Sequence, residues 1–95
     1  MLVELKKLDI TNEGYKRRIS LSRVFVNANH IISISDYEGV KEFLLSEGSD
    51  QYRNESFSLV KISTGNEVDV VIALGSSDKI YESFTNSSER RLLND

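Results

Sequence analysis

Between Glu67 and Leu74 the chain alternates with a period of two: Val68, Val70, Ile72 and Leu74 recur at every second position, with Asp69, Val71 and Ala73 between them. Successive strand side chains point to opposite faces, so this spacing predicts a strand with one wholly apolar face. As the strongest β pattern in the chain, it is expected at the centre of the sheet. Burying its four larger side chains would contribute on the order of 6 to 12 kcal/mol before conformational entropy is subtracted. Phe57 to Ser63 repeats the pattern, with Val60 and Ile62 on one face and Phe57, Leu59 and Lys61 on the other. Thr64-Gly65-Asn66 lies between these runs and predicts a hairpin that makes them antiparallel neighbours.

The N-terminal half patterns less cleanly. Leu2, Val3, Leu5, Leu8 and Ile10 fit a strand with an irregularity and a short helix about equally, and the strand reading is adopted here. Thr11-Asn12-Glu13-Gly14 supplies turn residues, so Tyr15 is expected to start the return strand. From Tyr15 to Asn27, Ile19, Leu21, Arg23 and Phe25 point one way and Val24 and Val26 the other. That change of face predicts a bulge or break near Leu21 to Arg23. Ile31 to Ser35 is a short β-branched strand.

Two segments shift to helical spacing. Val40, Phe43 and Leu44 predict a helix over about 38–47, with Asp36 as its N-cap and Gly48 as its stop. Ser76 or Ser77 can cap a second helix over about 78–84 that turns Ile80, Tyr81 and Phe84 inward. Ser46 to Glu55 reads as an exposed loop, and residues 85–95 as a polar C-terminal tail. The expected fold is α+β and β-dominated: about five antiparallel strands in a twisted or partly closed sheet, with one or two short helices. Residues 1–84 form a single domain.

Composition narrows the chemistry more than the fold. The 95 residues are 39% hydrophobic and 28% charged, within the globular range, and no apolar run is long enough to span a bilayer. No membrane partner is expected, and the N-terminus has no signal-peptide order, so a cytoplasmic location is expected. The absence of cysteine removes disulfides, thiolate catalysis and cysteine-based metal sites. With His30 as the only histidine, the sequence points to no cofactor and no metal. Net charge is −3, yet residues 1–23 hold six basic groups against three acidic ones. One end of an otherwise acidic chain is therefore basic.

The order Phe25-Val26-Asn27, Ile31-Ile32-Ser33-Ile34, Val60-Lys61-Ile62-Ser63-Thr64-Gly65, then Val70-Val71 leading into Ser77-Asp78-Lys79-Ile80, resembles the small flagellar-operon proteins of the FlbD type. The resemblance implies a compact β-domain that acts by contacting other proteins without catalytic machinery. The segment before Ile19 and the stretch from Asp36 to Glu55 fall outside it, and it transfers no functional residue.

Candidate chemistry is sparse. Tyr15, Lys16, Arg17 and Arg18, with Arg23 nearby, combine basic groups with an aromatic ring, the elements that neutralise phosphates and stack a base. The same charges on an edge strand discourage sheet-to-sheet association. Gly75 to Lys79 joins a strand to a helix start, where free N–H groups can hold an anion, but it lacks the P-loop spacing and reads better as a plain cap. His30 has no orienting carboxylate or nucleophile at a recognisable spacing. Asp36, Glu38 and Glu42 do not reproduce a calcium loop and suit the start of a helix. Arg90-Arg91-Leu92-Leu93 fits either a linear motif or the last turn of an amphipathic helix.

The chain therefore reads as a small non-enzymatic protein-binding or regulatory accessory module of a bacterium or phage, partnered by another protein and by copies of itself. The alternative is nucleic-acid binding through Tyr15 to Arg23. An enzyme built on the Asp36 to Glu42 carboxylates is the third reading.

Overall fold

The structure, a computed structural model, describes residues 1–46 and 54–94, and among them the side chains of 1–15, 17–42 and 54–85. In chain order the elements are β1 (Leu2–Glu13), β2 (Lys16–Asn27), a single 3-10 turn (Ala28–His30), β3 (Ile31–Asp36), α1 (Gly39–Ser46), β4 (Phe57–Ser63), β5 (Val68–Leu74) and α2 (Ser77–Asn94). The strands form one open antiparallel sheet in the order β2-β1-β5-β4-β3. This is the expected β-dominated α+β architecture, with β5 in the middle place.

Each face of the sheet carries its own core. Residues paired across neighbouring strands share a face, and the registers Leu5↔Val24, Lys7↔Ala73, Val60↔Val71 and Ile34↔Val60 assign one face to the odd positions of β1. There Leu5, Val60, Ile62 and Ala73 pack with Ile80 of α2, flanked by Val24, Val26, Ile34, Val71 and Phe84. On the opposite face Leu8 and Phe57 pack with Val40 of α1, flanked by Ile19, Leu21, Tyr37, Ile72 and Leu74. A helix covers part of each face, and the sheet is the middle layer.

This arrangement explains the broken alternation in the N-terminal strands. β1 and β2 pair without a register shift from Leu2↔Asn27 to Glu13↔Lys16, so there is no bulge near Leu21 to Arg23. Val24 and Val26 belong to the α2 face, whereas Ile19 and Leu21 belong to the α1 face. The strand changes the face it buries because the two helices lie over different parts of it. Leu5 and Leu8, three apart on β1, mark the same switch. The irregularity in the sheet lies in β3, between Ile31 and Ser33.

Both hairpins turn on a glycine with positive φ. The β1–β2 turn is Gly14-Tyr15, with Gly14 at φ 65, so Tyr15 is a turn residue and the return strand begins at Lys16. Gly65 has φ 100, and Thr64 closes its turn by donating its N–H to the Glu67 carbonyl at 2.9 Å. A glycine at the first central position is what a two-residue hairpin turn of this hand requires.

Other expectations change at the helices. The carboxylate of Asp36 caps α2, not α1: its Oδ1 accepts the Ser77 backbone N–H at 2.8 Å across 41 residues. The Ser76 hydroxyl accepts the Lys79 N–H at 3.3 Å as the local N-cap. Ile80 and Phe84, four apart, form the inward stripe of α2, while Tyr81 lies beside it and is 65% exposed. α2 continues to Asn94, through the segment read as a polar tail. The Gly48 stop and residues 47–53 of the expected loop lie outside the described residues, as do the side chains of Phe43, Leu44 and Arg90 to Leu93.

The largest correction concerns β5. Val68 and Val70 are each 54% exposed, so the face expected to be the main core is only partly buried, at Ile72 and Leu74. Fully buried Ala73 sits on the opposite face, under α2. The α1-face cluster around Val40 takes in Ile72 and Leu74 and not Val68 or Val70, and β1 registers with β5 at Lys7↔Ala73 alone. Past that pair no register joins the two strands, so Val68 to Val71 are paired with β4 on one flank and have no partner in β1 on the other.

Candidate interaction surface

The basic cluster does not assemble into one surface. Arg18 pairs with Thr11 on the α2 face, whereas Arg17 and Arg23 lie on the α1 face; the side chain of Lys16 lies outside the described residues. Arg17 and Arg23 are six positions apart along extended strand, a distance of about 20 Å. The cations also meet acids. Arg18 Nη1 lies 3.5 Å from Glu13 Oε1, and Arg23 Nε lies 2.8 Å from Glu4 Oε1. The Arg23 guanidinium also stands 5.2 Å from the centroid of the Phe25 ring. Tyr15, 96% exposed at the hairpin tip, is the one aromatic ring among the five candidates.

The remaining polar candidates have structural tasks. The start of α2 is already occupied by a carboxylate, since Asp36 accepts the N–H that an anion would use. That bond, and after it the bond from the Ser77 side chain, hold the Asp36 carboxyl below its ordinary value of 3.8. Glu38 pairs with Lys41 at 3.4 Å, one helical turn along. Asp36 and Glu38 therefore serve different elements, and Glu42 is exposed on α1. His30 is exposed at the end of the 3-10 turn, whose start is capped by the Asn27 side chain. Among the described residues no group of three or more His, Asp or Glu side chains is placed to hold a metal ion.

What the structure does bring together is apolar surface and unpaired strand backbone. β2 and β3 are the outer strands, and β1 and β5 part beyond Lys7↔Ala73. Phe25 on β2 and Ile32 on β3 are each 55% exposed; Ile10 on β1 is 46% exposed, alongside Val68 and Val70. Among the described residues, all five sit on strands with a flank that no other strand covers. Ile10 also borders a small cavity of about 120 Å³ with Leu8, Tyr37, Gly39, Val40 and Ile72.

The exposure of Val68, Val70 and Ile10 is missed by periodicity, which reports that a strand has an apolar face and not whether anything covers it. Asp69 in the first half of β5, with Glu67 just before the strand, was the available signal. Comparison with protein-family models, with curated proteins and with solved structures finds no match to this chain, and so leaves the FlbD-type resemblance untouched. Among the described residues no helix is long and apolar enough to cross a membrane.

Proposed function

We propose that this chain is a cytoplasmic, non-enzymatic protein-binding module that engages its partners along strand edges. One observation carries the reading: Ile10, Phe25, Ile32, Val68 and Val70, all about half exposed, lie on strands with an uncovered flank. Unpaired strand backbone beside apolar side chains is the template on which another chain adds a strand, the backbone giving affinity and alternate side chains giving specificity. Self-association is the simplest use of such edges, and the proposal includes a homo-oligomer.

A photo-crosslinking residue placed in turn at Phe25, Ile32 and Val70, with Glu42 on α1 as the control, tests the reading in cells. Adducts at the strand positions and none at Glu42 are expected; equal or absent adducts at all four would retire the function. Sedimentation at micromolar concentration decides self-association separately, and a monomer throughout would remove the oligomer.

The nucleic-acid reading gains nothing from the placement of Arg18 and Arg23 beside glutamates on opposite faces. Oligonucleotide binding that weakens steeply with salt and is lost in Arg17→Ala/Arg18→Ala would restore it.

A further inference from the structure

We infer that the notch between β1 and β5 is the specific docking site, and that its occupant is an extended peptide alternating lysine or arginine with aliphatic residues. This rests on the edge-binding function proposed above and adds the site and the chemistry of the partner. The notch opens where pairing stops: below Lys7↔Ala73, Asp9 to Glu13 of β1 face Val68 to Val71 of β5 with no register between them. Both flanks are regular strand, because the other side of each is held by β2 and β4.

The two faces of the notch differ in chemistry. On the α1 face stand Ile10, Val68 and Val70, all exposed. On the α2 face stand Asp9 and Glu13 from β1 and Asp69 from β5, with Glu67 at the end of the hairpin. Asp9 takes the Ser22 hydroxyl at 2.6 Å and lies 3.8 Å from Lys7, and Glu13 pairs with Arg18. Asp69 has no ion-pair partner among the described residues. A strand laid beside β5 places its alternate residues opposite these two sets, so cations belong opposite Asp69 and aliphatic groups opposite Val68 and Val70.

β2, on the other flank of β1, shows part of this complementarity within the fold: Arg18 stands on the acidic face and Ile19 and Leu21 on the apolar one, although Arg17 and Arg23 share the apolar face with them. The edge from Val68 to Val71 is short, so the complex is of the small, transient class.

The test is an NMR titration of the full chain with capped peptides of about eight residues. One alternates lysine with valine, one alternates glutamate with valine, and one has the first composition arranged in blocks. The lysine–valine alternation is expected to shift the amides of Val68 to Val71 at about a tenfold lower concentration than the glutamate peptide. The blocked peptide is expected not to shift them. Asp69→Lys should invert the order of the two alternating peptides, and Val70→Thr should weaken both. Each replaces an exposed residue, and an unchanged thermal midpoint confirms the fold.

Shifts confined to the outer edges of β2 or β3 would overturn the notch and leave the edge-binding function standing. No response at any edge to any peptide would sink both. A chain that sediments as a dimer with Val68 to Val71 already protected would name a second copy as the occupant and overturn the peptide partner.

Discussion

At the scale of single residues, the fold is pinned where β3, β4 and β5 converge on the start of α2. Ser58, fully buried, donates its hydroxyl to the Gly75 carbonyl at 2.8 Å, while the Gly75 N–H reaches the Ser56 carbonyl at 2.7 Å. Gly75 itself has φ 118, a left-handed conformation that side chains disfavour, so the turn into α2 depends on that glycine. Ser58→Ala leaves a carbonyl without its donor, and should cost about 1 to 3 kcal/mol. Urea unfolding should show this as a lower midpoint at unchanged slope. Asp36 adds a pH-dependent part. Its folded carboxyl titrates below the ordinary value, because the ionised form accepts the Ser77 N–H. The stabilisation is therefore complete above the unfolded value near 4 and disappears as pH falls through the lower folded value. The thermal midpoint of the native chain should exceed that of Asp36→Asn at neutral pH. The gap should close as pH falls through the lowered folded value, below which both side chains are uncharged; a gap that stays constant as the solution is acidified would remove the cap from the account.

At the scale of elements, each helix has its own set of strand residues. Leu5 and Leu8 are both buried on β1, yet Leu5 packs in the cluster that contains Ile80 of α2 and Leu8 in the cluster that contains Val40 of α1. Leu5→Ala and Leu8→Ala should each cost about 2 to 5 kcal/mol. Their local effects should separate: Leu5→Ala should move the methyl resonances of Ile80 and leave Val40 in place, and Leu8→Ala should do the reverse. Matching perturbations at both helices would argue for one continuous core. The same division explains what could be read from the chain and what could not. The hairpin at Gly65 and the strands beside it were legible, because Phe57 to Ser63 and Val68 to Leu74 alternate without interruption. In β1 and β2 the alternation is interrupted by a change of buried face, and a chain read locally cannot distinguish that from a bulge. Asp36 was recognisable as a cap but not as the cap of a helix 41 residues away, since that contact exists only after the sheet forms. The interaction surface was the least legible part. Four of the five basic and aromatic candidates are contiguous in sequence, yet the sheet divides Arg18 from Arg17 and Arg23, whereas Ile10, Val68 and Val70 are not contiguous and share one face.

At the scale of the whole molecule, the sheet is a long hairpin joined to a three-stranded meander. β1 and β2 share twelve register pairs and β4 and β5 share seven, while β1 and β5 share only Lys7↔Ala73. That join closes a loop from the first strand to the fifth, so its contacts have the largest sequence separation in the sheet and the greatest closure entropy. It is held by packing on both faces, where Leu5 and Ala73 meet Ile80 under α2 and Leu8 shares the opposite cluster with Ile72. At the hairpin end the side chains of Thr11 to Tyr15, Arg17 and Arg18 are exposed, and the two strands are joined by their cross-strand pairs. Amide hydrogen exchange should therefore resolve two levels of protection. Val60 to Ile62, paired on both flanks in β4 with Val60 fully buried, should exchange only through global unfolding. Thr11 to Arg18 should exchange much faster, by local opening that leaves β4 intact. Ala73→Leu forces a larger side chain into the join and should cost about 1 to 3 kcal/mol. It should also speed exchange along β1 and β2 more than in β3 and β4. If protection fell equally in all five strands, the sheet would be a single cooperative unit, and the parting of β1 from β5 would have no energetic counterpart.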